Sequence, residues 1–253
     1  MLEQLATEVV AITRPNLDHL VTEDDTPVDN IFSEKQQRLL TEPLYTSWGG
    51  PPGDDPSFVA LANVGLFYAI DRPAVVPDTM VSISVQFPED LQSKEHRSYF
   101  LWEYGKPPDV VIEVISNRKG EELGRKQRLY ARIGVAYYVV FDPFQQLGTD
   151  TLHLFERQRT AYVPMSTAWL PELGLRLTLW EGEYEGMWET WLRWCDQDGA
   201  LILTGAELAR QERERADTAQ QQAEAAQQQA EAAQQRIERL LAQLHALGAE
   251  PEA

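Results

Sequence analysis

A strand–helix–strand pattern between Pro108 and Pro143 constrains the fold of this 253-residue chain more than any other segment. The apolar run from Asp109 to Ile115 is rich in β-branched residues, which is typical of a buried strand. Leucine, isoleucine and tyrosine then recur at helical spacing up to Gly134, which can end a helix. A second β-rich run spans Ala136 to Phe141, so the order predicts a βαβ unit with a right-handed crossover.

One acid, Glu113, lies inside the first of these strands, among valine and isoleucine. A carboxylate in a buried strand is costly unless it is paired or binds a metal. Asp78 begins an alternating strand with Val81, Ile83 and Val85, and Lys126 lies in the crossover helix. Two carboxylates from adjacent strands can hold a hard divalent cation and an attacking water. An ammonium beside them can orient that water or stabilise charge on a phosphate.

Four stretches of sequence occur together: VVPD at Val75–Asp78, the block PPDVVIEVIS, a lysine thirteen residues after Glu113, and LYARIGVAYYVVFDP. Together they resemble the Uma-type restriction endonuclease family, within the PD-(D/E)XK nuclease superfamily. The resemblance covers roughly residues 20 to 190 and is strongest between Val75 and Pro143.

The resemblance implies roles for three residues. In the superfamily the first acid and the (D/E)xK pair bind the metal and position water, which gives Asp78 the first role and Glu113 the second. Ile115 occupies the lysine position of the simplest pattern, and the family supplies its lysine from the following helix, which points to Lys126. Glu122 stands where the family tends to have an aspartate, four residues before that lysine, and the exchange keeps the charge.

Fold, activity and cofactor are implied by the same resemblance. The implied fold is an α/β restriction-endonuclease-like domain, with a mixed central sheet flanked by helices. We expect the Asp78 and Glu113 strands to be adjacent and the Lys126 helix to cross one face. The implied activity is that of a Mg²⁺- or Mn²⁺-dependent endonuclease, which hydrolyses DNA phosphodiester bonds with metal-activated water and leaves a 5′-phosphate.

Each of these residues also has an ordinary structural interpretation. Glu113 can be a structural carboxylate satisfied by an arginine such as Arg125. Asp78 follows Pro77 and can end a turn, and Lys126 can be a solvated residue on an exposed helix. The joint spacing of the three residues, not any one of them, favours the site.

Three further residues are candidate additions to the site. Residues 29–40 have the pattern of a helix, on which Glu34 is a candidate extra acid and Gln37 a polar alternative. Glu34 can equally be a solvated acid of an amphipathic helix. Asp109 ranks below Asp78 because it lies about 13 Å from Glu113 along the strand, and it can be a turn residue.

The charge of the chain favours a second class of function. A formal net charge of −18 opposes general affinity for nucleic acid, unless positive charge is concentrated locally. Six basic residues do lie close together in sequence: Arg118, Lys119, Arg125, Lys126, Arg128 and Arg132. The alternative to a nuclease is a catalytically inactive, nuclease-like interaction module that binds a protein partner through its acidic surface and its C-terminal helix.

The pattern divides the chain into three segments. Residues 1–28 are an N-terminal helix and connector, 29–200 the restriction-endonuclease-like domain, and 206–248 a C-terminal coiled coil. Inside the domain, hydrophobic alternation predicts a hairpin of 64–71 with 75–87, an antiparallel pair of 151–157 with 161–165, and a strand over 173–180. The tryptophans between residues 188 and 194 indicate a helix that packs as core.

The C-terminal segment predicts self-association. The seven-residue sequence QQQAEAA occurs twice, beginning at Gln220 and at Gln227. Apolar residues recur at alternating intervals of three and four positions from Ala223 to Leu247. This is a heptad seam in which alanine contributes little buried area, so Ile237 and the leucines after it supply most of the drive. A homodimer would suit a nuclease that cuts both strands of a duplex, while a lone helix or one folded back on the domain is the alternative.

Other classes of protein do not fit the composition. Cys195 is the single cysteine, and the four histidines have no metal-ligand spacing. No stretch approaches the roughly 18 apolar residues of a membrane span, and the N-terminal residues lack the pattern of a signal peptide. We therefore expect a cytoplasmic protein without a membrane partner.

Overall fold

A computed structural model of the protein describes residues 30–88, 90, 92–93, 96–116 and 122–246. The helix and connector expected over 1–28 lie outside these residues. The helices are α1 (Ile31–Ser47), α2 (Leu101–Tyr104), α3 (Gln127–Ile133) and α4 (Gly205–Ala246), and a π-helical turn (Glu122–Lys126) precedes α3. The strands are β1 (Phe58–Ala62), β2 (Leu66–Phe67), β3 (Thr79–Ile83), β4 (Tyr99–Phe100), β5 (Val110–Val114), β6 (Tyr137–Phe141), β7 (Leu152–Gln158), β8 (Ala161–Pro164), β9 (Trp169–Leu170), β10 (Leu175–Tyr184) and β11 (Met187–Cys195).

A mixed sheet forms the centre of the fold. Among the described residues, six strands pair in the order β1–β3–β5–β6–β7–β8. β5 and β6 run parallel, with α3 between them in the chain, and the other neighbours are antiparallel. Gly134 ends α3 in the left-handed region, and its N–H donates to the carbonyl of Tyr130. The predicted βαβ unit and the predicted 151–165 pair are both confirmed.

Hydrophobic residues cover both faces of this sheet. Val110, Ile112 and Val114 of β5 pack with α1 and the β10–β11 hairpin. Val111 and Ile115 point to the opposite face and pack with Tyr130 of α3. Because side chains alternate along a strand, Glu113 shares the second face with Val111 and Ile115.

The segment with several tryptophans is a strand, so the prediction of a helix there was wrong. β10 and β11 are joined by Glu185 and Gly186, which both have positive φ, as a two-residue hairpin turn requires. A spacing of three residues fits a helix, whereas in the strand Trp191 lies on the face opposite Trp188 and Trp194. Trp191 and Trp194 are buried, but Trp188 is 72% exposed, so the predicted core role was wrong for Trp188. Trp191 stacks on Phe32 of α1 with 4.9 Å between ring centroids, which attaches the hairpin to the helix.

The predicted hairpin of 64–71 with 75–87 was also wrong. β3 pairs with β1, whose residues carried no strand prediction. The 64–71 segment contributes only the short β2, which pairs with β4, and an isolated bridge between Leu66 and Val75. Asn63, with φ of 56°, turns the chain out of β1, and Pro73 has no N–H with which to extend a ladder.

The helix predicted over 29–40 begins where Asn30 caps it, because its Oδ1 accepts from the N–H of Ser33 at 3.0 Å. It extends past the predicted end to Ser47, through Pro43.

A second unit of the chain begins at Leu203 and contains α4. Thr204 and Glu207 form a capping box, in which the N–H of Glu207 donates to Thr204 Oγ1 and the N–H of Thr204 donates to Glu207 Oε2. The described part of α4 has no buried residue, and Ile237, Leu240, Leu241 and Leu244 are exposed on it. No helix in the described residues is long and apolar enough to cross a membrane.

Candidate active site

Glu113 lies in the middle of the sheet and is almost completely buried, with 1% of its surface exposed. Each oxygen of its carboxylate accepts a hydrogen bond from the helical segment that crosses this face. Lys126 Nζ lies 2.8 Å from Oε2, and the Tyr130 hydroxyl lies 2.7 Å from Oε1. A buried carboxylate is stable only with such donors.

Asp78 lies immediately before β3, the strand that pairs with the Glu113 strand. Thr79, the first residue of β3, is the register partner of Ile112 of β5; Asp78 directly precedes Thr79 and Glu113 directly follows Ile112, so the two acids come next beyond the paired residues. Opposed residues have Cβ atoms about 5 Å apart and side chains on one face. The Asp78 carboxylate accepts from the backbone N–H of Val114 at 2.6 Å and from the amide of Gln37 at 3.1 Å.

Lys126 lies where a π-helical turn passes into the α-helix α3. Glu122–Lys126 forms a π-helical turn in which Leu123 has non-helical angles, and α3 continues from Gln127. Lys126 and Tyr130 are four residues apart, a spacing that puts both on one helix face, toward Glu113. The Lys126 side chain is 33% exposed, so its ammonium touches both the buried acid and solvent.

Tyr130 also belongs to the site, although its sequence position predicted only that it lies on the apolar side of a helix. Its side chain is fully buried. Burial raises the pKa of the Tyr130 phenol well above its ordinary value, and the Glu113 carboxylate raises it further. The phenol therefore keeps its proton and donates a hydrogen bond to Glu113 Oε1. Its position, one helical turn after Lys126, was the feature of the sequence that could have placed it beside Glu113.

The other candidate residues differ in where they lie. Gln37 is buried and reaches Asp78. Glu34 pairs with Arg38 at 2.7 Å on the exposed side of α1. Asp109 accepts from the N–H of Ile83 at 2.9 Å and pairs with Lys106 at 2.6 Å, at the far end of the strand from Glu113. The structure thus brings Gln37 to the pair of acids and leaves Glu34 and Asp109 elsewhere.

The donor set is compatible with a hard divalent cation. Asp78 and Glu113 supply carboxylate oxygens, and Lys126 marks where the cluster meets solvent. Within the described ranges, no group of three or more histidine, cysteine, aspartate or glutamate side chains is placed to hold a metal. A cation between these two acids would therefore complete its coordination with water, as Mg²⁺ commonly does.

Positive charge accompanies the site on the crossing segment. Arg125, Arg128 and Arg132 are exposed on the same stretch as Lys126. Arg118 and Lys119, the other members of the predicted basic cluster, lie outside the described residues. The exposed arginines give a locally basic surface to a chain whose overall charge is −18.

A comparison with protein families finds a matching family model over residues 23–181, which is more than half of the chain. That family is Uma2, described as "Putative restriction endonuclease". No curated protein matches the chain. The mixed sheet with flanking helices accords with this family. The chain belongs to the Uma2 restriction endonuclease family and has a restriction-endonuclease-like fold of the PD-(D/E)XK type.

Proposed function

We propose that the protein is a metal-dependent endonuclease that hydrolyses DNA phosphodiester bonds, with Asp78 and Glu113 as cation ligands. The observation that carries the proposal is the buried Glu113 carboxylate opposite Asp78, with the Lys126 ammonium 2.8 Å away. Like charges at directly opposed strand positions destabilise a sheet. A divalent cation shared by both acids gives this arrangement a function and offsets the repulsion.

The chain's own residues divide the work as follows. Asp78 and Glu113 would hold Mg²⁺ or Mn²⁺ through carboxylate oxygens, with Asp78 oriented by Val114 and Gln37. The bound cation would acidify a water molecule and stabilise negative charge on the phosphate. Lys126, at the solvent boundary, would orient the attacking water and place positive charge beside the phosphate.

The proposed reaction is a hydrolysis. A water oxygen attacks phosphorus in line with the bond to the 3′ oxygen, and that bond breaks. The phosphate stays on the 5′ side, and the 3′ oxygen leaves as a hydroxyl with a proton that originates from water. The exposed Arg125, Arg128 and Arg132 would attract the DNA backbone locally despite the acidic total charge.

Cleavage of supercoiled plasmid in the presence of Mg²⁺ tests this function. We expect the wild type to produce nicked and linear DNA with 5′-phosphate ends, and a chelator to stop it. Asp78→Asn and Glu113→Gln should each lower the rate about a hundredfold or more. Asp109→Asn is the matched control, because it alters a carboxylate of the same strand region that pairs with a different lysine. Cleavage by Glu113→Gln at the wild-type rate would refute the proposal.

We propose 29–200 as the nuclease domain and 206–248 as a coiled-coil segment that makes the protein a homodimer. The exposed Ile237, Leu240 and Leu244 follow heptad spacing, and burying them against a second copy would remove apolar surface from water. Sedimentation should give a dimer for the wild type and a monomer for Leu240→Ser with Leu244→Ser. Gln235→Ser, on the opposite helix face, is the control.

A nuclease-like module without activity is the second candidate, and the net charge of −18 favours it. Such a module would bind a protein partner through its acidic surface and α4. Glu113→Gln separates the two functions, because it should leave partner binding intact and abolish cleavage.

A further inference from the structure

We propose that Tyr130 is a positioning residue that assigns different tasks to the two oxygens of Glu113. It holds Oε1 permanently, so that Oε2 is the oxygen available to a cation. The inference rests on the proposed nuclease function, and it adds to that function a residue that acts through Glu113 without touching the substrate.

The two donors to Glu113 differ in how fixed they are. The Tyr130 ring is fully buried and packs against Tyr138, with 5.3 Å between the centroids. It belongs to the core that joins α3 to the sheet. Lys126 ends a long side chain that is one-third exposed, at a turn with irregular backbone. The phenol therefore cannot leave Oε1 without disturbing the core, whereas the ammonium can move away from Oε2 into solvent.

The chemistry of the fixed donor also matters. A phenol is neutral, so it satisfies one lone pair of the carboxylate without cancelling its negative charge. A lysine or arginine at that place would form a permanent ion pair and compete with a divalent cation. A neutral donor on Oε1 with a movable cation on Oε2 keeps Glu113 stable in the core and still able to bind a metal.

A purely structural tyrosine would show the same burial, so the test must report on the cation. The variant is Tyr130→Phe, which keeps the ring and removes only the hydroxyl. Tyr99→Phe is the matched control. Tyr99 is also fully buried in the same hydrophobic cluster, and its hydroxyl bonds Ser82 and the carbonyl of Lys106 at the other end of the sheet.

Electron paramagnetic resonance of free Mn²⁺ measures the affinity directly, because the signal of the free ion falls as the ion binds. Loss of a hydrogen bond to a metal ligand typically weakens affinity 10- to 100-fold, so we expect a loss of about that size for Tyr130→Phe. Tyr99→Phe should stay within about twofold of wild type if its hydroxyl has only a structural role. In plasmid cleavage, Tyr130→Phe should require more Mg²⁺ for its half-maximal rate and recover much of the wild-type rate at saturating Mg²⁺.

Two negative results are distinguishable. Wild-type Mn²⁺ affinity in folded Tyr130→Phe, verified by circular dichroism, would overturn the positioning role and leave the nuclease proposal intact. An equal loss in Tyr130→Phe and Tyr99→Phe would also overturn it, since a general loss of packing would then be the cause. Absence of Mn²⁺ binding by the wild type would contradict the proposed function itself, and the role of Tyr130 with it.

Discussion

The carboxylate of Asp78 accepts a hydrogen bond from the backbone N–H of Val114, with 2.6 Å between Oδ2 and N. Val114 directly follows Glu113, so the backbone of the strand that carries Glu113 also holds the Asp78 carboxylate. Strand register, together with this bond, fixes the separation of the two acids. Helix α1 adds a second constraint through Gln37, and the crossing helix holds Glu113 through Lys126 and Tyr130.

Gln37→Ala should weaken Mn²⁺ binding by about tenfold, because Asp78 loses a donor that orients it. The measurement is an isothermal calorimetric titration of Mn²⁺ into each variant. Glu34→Ala is the control on the same helix, since Glu34 pairs with Arg38 on the exposed side. A larger effect of Glu34→Ala than of Gln37→Ala would show that the wrong residue of α1 has been assigned to the site.

Lys126→Met should separate binding from catalysis. The substitution removes a positive charge that competes for Glu113 Oε2, so Mn²⁺ binding should be no weaker than in the wild type. Plasmid cleavage should nevertheless fall about a hundredfold or more, because the water and the phosphate lose their cationic partner. Retained cleavage would remove Lys126 from the mechanism.

Gln36→Met should destabilise the nuclease domain by about 2–6 kcal/mol. The Gln36 side chain donates to the carbonyl of Leu192 at 2.8 Å and accepts from its N–H at 3.0 Å, and both groups are buried. Each would be left unsatisfied at a cost of about 1–3 kcal/mol. Arg38→Met is the control, because its exposed pairs with Glu34 and Glu185 contribute about 1 kcal/mol or less each. Urea denaturation measures both, and equal losses would contradict the assignment.

Alkaline pH should destabilise the domain through its buried tyrosines. Burial raises the pKa of Tyr99 and Tyr162 above the ordinary value of about 10, and it raises the pKa of Tyr184 to about 12. Above pH 10 the unfolded chain loses these protons first, so the free energy of unfolding falls as pH rises from about 10 toward 12. Urea midpoints at pH 8 and pH 11 measure the loss. Tyr99→Phe should lose less than the wild type over that interval, and an identical loss would contradict this cause.

The central part of the fold could be predicted because its signals are local. Pro108 to Pro143 carries strand, helix and strand within one short segment, and its alternating apolar residues determine the faces of β5. Glu113 could be recognised as a candidate because a charge in such a run requires a partner. The helical spacing also located Lys126, although not the π-helical turn that contains it.

Long-range pairing limited the rest of the prediction. Nothing local in residues 58–62 indicates that they pair with β3, and the 64–71 segment has a strand-like pattern but pairs only briefly with β4. The three-residue spacing of the β11 tryptophans fits a helix, and the pairing with β10 that makes the segment a strand is not visible in that spacing. Tyr130 was missed because its hydroxyl matters only through Glu113, which is seventeen residues away in the chain.

The most direct test of the central claim, that Asp78 and Glu113 hold a divalent cation, is calorimetric titration of Mn²⁺ into wild type, Glu113→Gln and Asp109→Asn. Glutamine keeps the shape of the buried side chain and removes its charge. We expect binding by the wild type and by Asp109→Asn, and loss of binding in Glu113→Gln. Equal binding by all three folded proteins, or binding by none of them, would contradict it.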